Sequence, residues 1–213
     1  MNRQGGQLDR SLDLMIISRD GSANAPGDYS KLMLTQLFFE SDRNRLCINV
    51  TIVDDFSLED DETFSLLLTS TDNAVVLGVN ITSVTIIDDD IVTLELQPSH
   101  LTVSESTQQV YVTVELTGSR EREVSLMLET TDGSASSLTG DYMSFSEKLV
   151  FPPSSANGST LSVNIIIIDD LLVEEVEYFT IHASSMDAAI NYTGRNSTTF
   201  HIEDDDCMFV LNF

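Results

Sequence analysis

Three sequence blocks occur twice in this chain, in the same order and at nearly the same spacing. SLDLMIISRDGSANAPGDYS (residues 11–30) is answered by VSLMLETTDGSASSLTGDYMSF (124–145); both carry DGSA, a short polar loop and GDY. LCINVTIVDDFSLEDDETFSLLL (46–68) is answered by LSVNIIIIDDLLVEEVEYFTIHA (161–183), and NITSVTIIDDD (80–90) by NSTTFHIEDDD (196–206). The offsets are 112 residues from Asp20 to Asp132, 115 from Asp54 to Asp169 and 116 from Asp88 to Asp204. A repeat this regular means that one structural plan is built twice, so the chain must adopt its fold in tandem.

The plan is β. Ile48, Val50 and Ile52 alternate with Asn49 and Thr51, the two-residue period of a half-buried strand, and Val163, Ile165 and Ile167 alternate in the same way with Ser162 and Asn164. Phe64, Leu66, Leu68 and Phe179, Ile181, Ala183 mark the next strand of each copy; Val84, Ile86 and Phe200, Ile202 mark the last. Gly, Asp, Asn and Ser clusters separate these runs, and no long segment has a helical period. Strands at this spacing predict an all-β fold of two tandem immunoglobulin-like antiparallel β-sandwiches.

The copies differ in length. VTLELQPSHLTVSESTQQVYVTVELTG (92–118) precedes the second DGSA block, with room for one or two further strands, whereas residues 1–10 stand before the first. The expected organisation is a repeat over residues 1–90 that lacks its opening strand, a complete repeat over 91–206, and the start of a further strand in CMFVLNF (207–213). MNRQGGQLDRSLDL has no apolar core of a secretory signal, which is expected of an intracellular protein or of a piece of a longer chain.

Acidic residues gather where strands end. Neighbouring strand residues point to opposite faces, so Asp54-Asp55 and Asp169-Asp170 converge only where the strand gives way to a loop. Glu59 and Glu174 follow close enough to fold back over that point. Asp88, Asp89 and Asp90, like Asp204, Asp205 and Asp206, end the final strand; Asp28 and Asp141 of GDY lie in a connection that can reach the same pole. Such clusters serve either as solvated caps and edge guards or as a cation site. Recurrence in register favours the cation, because carboxylates this crowded repel and raise one another's pKa. Ca²⁺, which takes about six to eight oxygens in irregular geometry, suits them better than the stricter Mg²⁺.

A formal charge of −25 turns the chain away from nucleic acid and anionic membrane surfaces. No stretch approaches the roughly 20 apolar residues of a membrane span. Cys47 and Cys207 make neither a disulfide framework nor a metal spacing. His100, His182 and His201 form no catalytic or metal arrangement, and paired carboxylates of the glycosidase kind belong in clefts, not at repeated strand ends. The chain reads as a binding module, not an enzyme.

The combined pattern DGSA…GDY…IxIxDD-x3-E-x2-E-x-F…TIxDDD resembles the Calx-β repeat over nearly the whole chain. The resemblance implies an immunoglobulin-like sandwich binding Ca²⁺ at one pole. It implies ligands at Glu105, Asp141, Asp169, Asp170, Glu174, Asp204, Asp205 and Asp206, with a main-chain carbonyl near Leu172. In the first copy it implies Asp28, Asp54, Asp55, Glu59, Asp88, Asp89 and Asp90, with no counterpart of Glu105. Such repeats occur in extracellular adhesion and matrix proteins and in the cytosolic loop of sodium/calcium exchangers. The expected partners are therefore calcium ions, neighbouring repeats of the same chain and other adhesion or matrix proteins.

Asn49, Asn80, Asn157, Asn191 and Asn196 each begin an Asn-X-Ser/Thr triplet. Asn80 and Asn196 are equivalent positions, and Asn49 alternates with inward residues, so they are candidate glycosylation sites on an exposed face. With the tandem arrangement they point to an extracellular, membrane-anchored or matrix protein; the alternative is a Ca²⁺ sensor on the cytoplasmic face of a transporter.

Overall fold

A computed structural model describes residues 12–39, 45–70, 77–192 and 195–206; CMFVLNF, with Cys207, lies outside them. In chain order the first stretch gives β1 (Leu12–Asp20), β2 (Thr35–Phe39), β3 (Ser57–Leu58), β4 (Glu62–Thr69) and β5 (Ile81–Ile86). The second gives β6 (Val92–Gln97), β7 (His100–Ser104), β8 (Gln109–Thr117), β9 (Ser119–Arg120) and β10 (Val124–Asp132). It continues with β11 (Ser146–Phe151), β12 (Ser159–Ile166), β13 (Glu177–Ser184), β14 (Ile190–Tyr192) and β15 (Ser197–Glu203). The chain packs as two compact units: Met1–Asp55 with Asp60–Asp88, and Phe56–Glu59 with Asp89–Phe213.

The second unit is a complete sandwich. One sheet runs β11-β10-β13-β15-β7, the other β12-β8-β6-β14. Pairing is antiparallel except for β14 on β6 and β15 on β7. Alternation decides what enters the core: Val110, Val112, Val114 and Leu116 of β8 are buried, and between them Tyr111 faces solvent. Val92, Leu94 and Leu96 of β6 join them, and Phe179, Ile181 and Phe200 of the opposite sheet close one continuous apolar cluster. Burial at about 25 cal/mol per Å² of apolar surface is the main force holding the two layers together.

Phe56–Glu59 adds to this unit. β3 pairs in parallel with β9, and Leu58 enters the same apolar cluster.

The first unit has a sheet ordered β2-β1-β4-β5, the counterpart of β11-β10-β13-β15. The strand expected over INVTIVDD is not formed: residues 46–51 are irregular, and Ile52 makes an isolated bridge to Tyr29. Its second-copy counterpart β12 is held along its length by β8, and no counterpart of β8 exists among the described residues. The alternation persists in weakened form, with Leu46, Ile48 and Val50 half-buried against Leu14, Ile16, Ala23 and their neighbours. An open groove lined by Ile16, Leu46, Ile48, Leu66, Leu68 and Val79 remains.

Both units share one corner. In the second, the Tyr142 hydroxyl donates to Asp132, whose carboxylate also accepts from the Ser137 amide (3.1 Å) and the Ser136 hydroxyl (3.1 Å). The Tyr142 ring stacks on Phe179 at 4.1 Å. In the first, Tyr29 donates to Asp20 at 2.5 Å and stacks on Phe64 at 4.0 Å. The DGSA glycines serve close packing and not a left-handed turn: neither has a positive φ. A Cβ on Gly133 would lie 2.4 Å from the Tyr178 carbonyl oxygen, and one on Gly21 2.3 Å from that of Thr63. Glycine is required because the neighbouring strand passes directly overhead.

Candidate metal centre

In the second unit β12 and β15 deliver their last residues to the same pole. β12 leaves its sheet through the Tyr142–Ile167 bridge, and the Ile168 amide donates to the Asp141 carbonyl (3.0 Å), so the GDY loop is tied beside Asp169 and Asp170. β7 runs parallel to β15 with Ser104 opposite Glu203, which sets Glu105 level with Asp204.

Glu105 is only 5% exposed, and its Oε1 accepts the Asp170 amide at 3.1 Å. Burial pushes its carboxyl up in pKa, and the charges of Asp170, Glu174 and Asp204 push the same way, against the hydrogen bond from the Asp170 amide. Asp204 organises the loop after β15 and the loop after β12 together: it accepts from the Glu174 amide (3.1 Å) and the Asp206 amide (3.0 Å). The Leu172 amide is held by Asp170 at 2.6 Å. Asp141 accepts from the Ser136 amide at 2.6 Å. Burial raises the pKa of Asp206, followed by the charges of Asp204, Asp205, Asp169 and Asp170, and its Oδ2 is covered without a hydrogen-bond partner.

The structure thus gathers Glu105, Asp141, Asp169, Asp170, Glu174, Asp204, Asp205 and Asp206 at one pole, with Leu172 on its rim. It adds Glu177. Carboxylate oxygens of Asp141, Glu174 and Glu177 lie within 4.8 Å of one another. Burial, then a hydrogen bond with Asp141, then the charges of Asp141, Glu174 and Glu105 push Glu177 up to about 7. The signal for Glu177 was present in the sequence: it lies two residues before inward Phe179, so the strand period aims it at the pole's interior.

The donor set fits a hard divalent cation. Every donor is an oxygen, and every charge acting on Glu105, Glu174, Glu177 and Asp206 is negative. Glu177 makes a hydrogen bond with Asp141, which requires a proton on Glu177, and Asp206 Oδ2 is buried without a hydrogen-bond partner; a cation held here would take the place of that proton and give Asp206 Oδ2 a partner.

The first-copy candidates are divided. Asp28, Asp54, Asp55 and Asp88 belong to the first unit, and Glu59, Asp89 and Asp90 to the second. Asp28 accepts the Asn24 amide at 2.5 Å, as Asp141 does that of Ser136, and Asp61 accepts the Asp88 amide at 3.2 Å. Asp61 was not singled out from the sequence, where its counterpart is Val176. Asn49, Asn80, Asn157 and Asn191 are exposed, whereas Asn196 is half-buried. The Asn157 side chain accepts the Gly118 amide at 3.0 Å.

The family profile described as Calx-beta domain matches this chain twice, over residues 1–90 and 88–206. The human FRAS1-related extracellular matrix protein 2 is 24% identical over 219 residues, 97% of this chain. The chain spans 7% of that relative's length. Among solved structures, the apo-form Calx CBD1 domain is 29% identical with a TM-score of 0.50, covering 55% of this chain and all of that one. The CBD12 tandem from CALX1.2 is 20% identical with a TM-score of 0.42, covering 94% of this chain and 91% of that one.

Proposed function

Because this chain belongs to the Calx-beta domain family, we propose that it is a Ca²⁺-binding structural and adhesive module of a longer extracellular or membrane-anchored protein. The observation that carries this reading is the convergence of Glu105, Asp141, Asp170, Glu174, Glu177, Asp204 and Asp206 on one pole, where among the described residues only negative charges act on Glu105, Glu177 and Asp206. A bound Ca²⁺ supplies the charge that lets these carboxylates stay ionised side by side.

The chain's own residues do the rest. Glu105 and Asp170 hold the end of β12 to the turn after β7, and Asp204 joins the loop after β12 to the end of β15. With the repulsion offset, those loops stiffen as one body, and a stiff pole suits a tension-bearing repeat in an array. Asp28, Asp54, Asp55, Glu59, Asp88, Asp89 and Asp90 are the corresponding ligands proposed for the first copy, whose site lacks a Glu105.

Extracellular placement is supported by the match of 97% of the chain to part of an extracellular matrix protein and by the exposed triplets at Asn49, Asn80, Asn157 and Asn191. Among the described residues no helix is long and apolar enough to cross a membrane. A second reading, a cytoplasmic Ca²⁺ sensor attached to a transporter, is favoured by the likeness to the Calx CBD1 domain. Glycan occupancy at Asn80, measured by mass shift on deglycosylation of secreted material, decides between them: glycan excludes the cytoplasmic sensor.

The test of the site is a thermal melt in chelator, then in millimolar Ca²⁺, with Mg²⁺ as control. Ca²⁺ at about 100 times its Kd adds about 2.7 kcal/mol, a shift of several degrees, lost in the Asp169→Asn/Asp170→Asn variant. An unchanged melt returns the acids to the role of solvated caps.

A further inference from the structure

The segments Asp55-Phe56-Ser57-Leu58-Glu59 and Asp170-Leu171-Leu172-Val173-Glu174 are equivalent in the two copies, 115 residues apart. The first is seated. Leu58 is 0% exposed inside the second unit's apolar cluster, and Ser57 and Leu58 pair in parallel with Ser119 and Arg120. The Glu121 amide donates to the Leu58 carbonyl (2.9 Å), and Arg122 Nε donates to the Glu59 carbonyl (3.1 Å). Ser119 and Ser57 place their hydroxyl oxygens 3.3 Å apart. Arg122 is itself held by a two-point ion pair with Asp187, at 2.6 and 3.1 Å.

The second segment has the same form without a seat. Val173, the counterpart of Leu58, is 51% exposed, and Leu171 and Leu172 also face solvent. Three consecutive apolar side chains stand out on a highly charged pole, followed by Glu174 and Glu175.

We infer that Leu171–Glu174 is a docking surface for a further sandwich of the same kind. Val173 inserts into that unit's core, and Leu172 and Val173 pair with the edge that corresponds to Ser119–Arg120. The chemistry on the two sides is complementary. The seat SREREV (119–124) balances Arg120 and Arg122 against Glu121 and Glu123, and Arg122 is already paired with Asp187, so the seat meets the apolar incoming segment with a buried pocket and the Arg122 hydrogen bond to a main-chain carbonyl, not with net charge. The seat also offers two main-chain partners, so a two-residue strand gains hydrogen bonds as well as burial. The occupant is a repeat unit, not a peptide or a membrane, because the seat needs a sandwich core beneath it. This docking presupposes the array proposed above but not its Ca²⁺.

The test uses cysteine pairs in a Cys47→Ser/Cys207→Ser background, which removes both native thiols. Ser57→Cys with Ser119→Cys in the unextended chain is the benchmark, because its hydroxyls already lie near disulfide range. An extended chain joins Asp206 to a second run of residues 91–206, which reproduces the Asp90–Ile91 junction and supplies an empty seat. Leu172→Cys in the first run is paired with Ser119→Cys in the added run, and disulfide closure under mild oxidant is followed by gel shift in Ca²⁺ and in chelator. The expected result is closure at the benchmark rate and about tenfold faster than from an exposed Leu138→Cys control, since a preset pair has the higher effective concentration. Val173→Asp abolishes the advantage and Val173→Leu keeps it. Closure no faster than the control overturns the docking. So does a benchmark that stays reduced, because the seat itself is then wrong, and so does an added run left unfolded, because the loop has not filled it. Closure in chelator together with a melt indifferent to Ca²⁺ removes the metal reading and leaves the docking standing.

Discussion

Ile52 and Ile167 occupy the same place in the two repeats, yet Ile52 is 42% exposed and Ile167 3%. Both precede an Asp-Asp pair, and both bridge to the tyrosine of GDY. The difference lies opposite them. Ile167 belongs to a two-sheet core into which β6 and β8 place seven buried aliphatic side chains, Val92 to Leu116; Ile52 faces a single described sheet. An identical local pattern therefore becomes a core strand in one copy and an irregular segment in the other. What holds in both copies is the corner of Asp, Tyr and Phe, which depends only on contacts within the repeated blocks.

The sharpest way to break this comparison is to delete the same side chain twice. Ile167→Ala is expected to cost about 2 to 5 kcal/mol, the usual price of a buried cavity. Ile52→Ala is expected to change stability by about 0.5 kcal/mol, the scale of a surface substitution. Urea unfolding of each variant checks this, and equal losses mean that the first unit has a closed core in solution.

The next experiment probes what the copies share. Tyr142→Phe and Tyr29→Phe each remove one hydroxyl bond to an aspartate and leave the ring stacked. Each is expected to lower the melting temperature of its unit by a few degrees, because the buried tyrosine loses its hydrogen bond to a charged acceptor. Unequal losses show that the corner depends on the second sheet after all.

The smallest effect concerns pH. Glu177 titrates near 7 in the folded second unit, above its ordinary 4.5, so the folded state holds its proton more tightly than the unfolded state. The stability it contributes is fully present below about 4.5 and is lost as pH rises through 7. In chelator, the melting temperature of the second unit is expected to fall by a few degrees across that window, and Glu177→Gln is expected to flatten the fall. Added Ca²⁺ is expected to reverse the trend, because a bound cation would favour the ionised carboxylates. A melting temperature flat from pH 5 to 7.5 in chelator removes Glu177 from the cluster.

Much of this molecule follows from local patterns. Alternation named β12, β13 and β15, and charge crowding named Asp141, Asp169, Asp170, Glu174 and Asp204, because a strand's period fixes which residues share a face and its end fixes where they meet. Glu177 obeyed the same rule but was hidden inside an acidic run, where charge masked its inward parity. The glycine of DGSA was legible as special, although only packing revealed a carbonyl passing 2.4 Å from its missing Cβ.

The sequence alone settled the tandem repeat and the β class and pointed to Asp141, Asp169, Asp170, Glu174 and Asp204 as neighbours in the second copy, since each is a matter of period and spacing. Tertiary structure alone decided that INVTIVDD stays irregular, because a strand needs a partner ladder that its own residues cannot supply. It also decided that Phe56–Glu59 joins the second compact unit: a two-residue strand carries too little pattern to choose its core, and burial of Leu58 chooses for it.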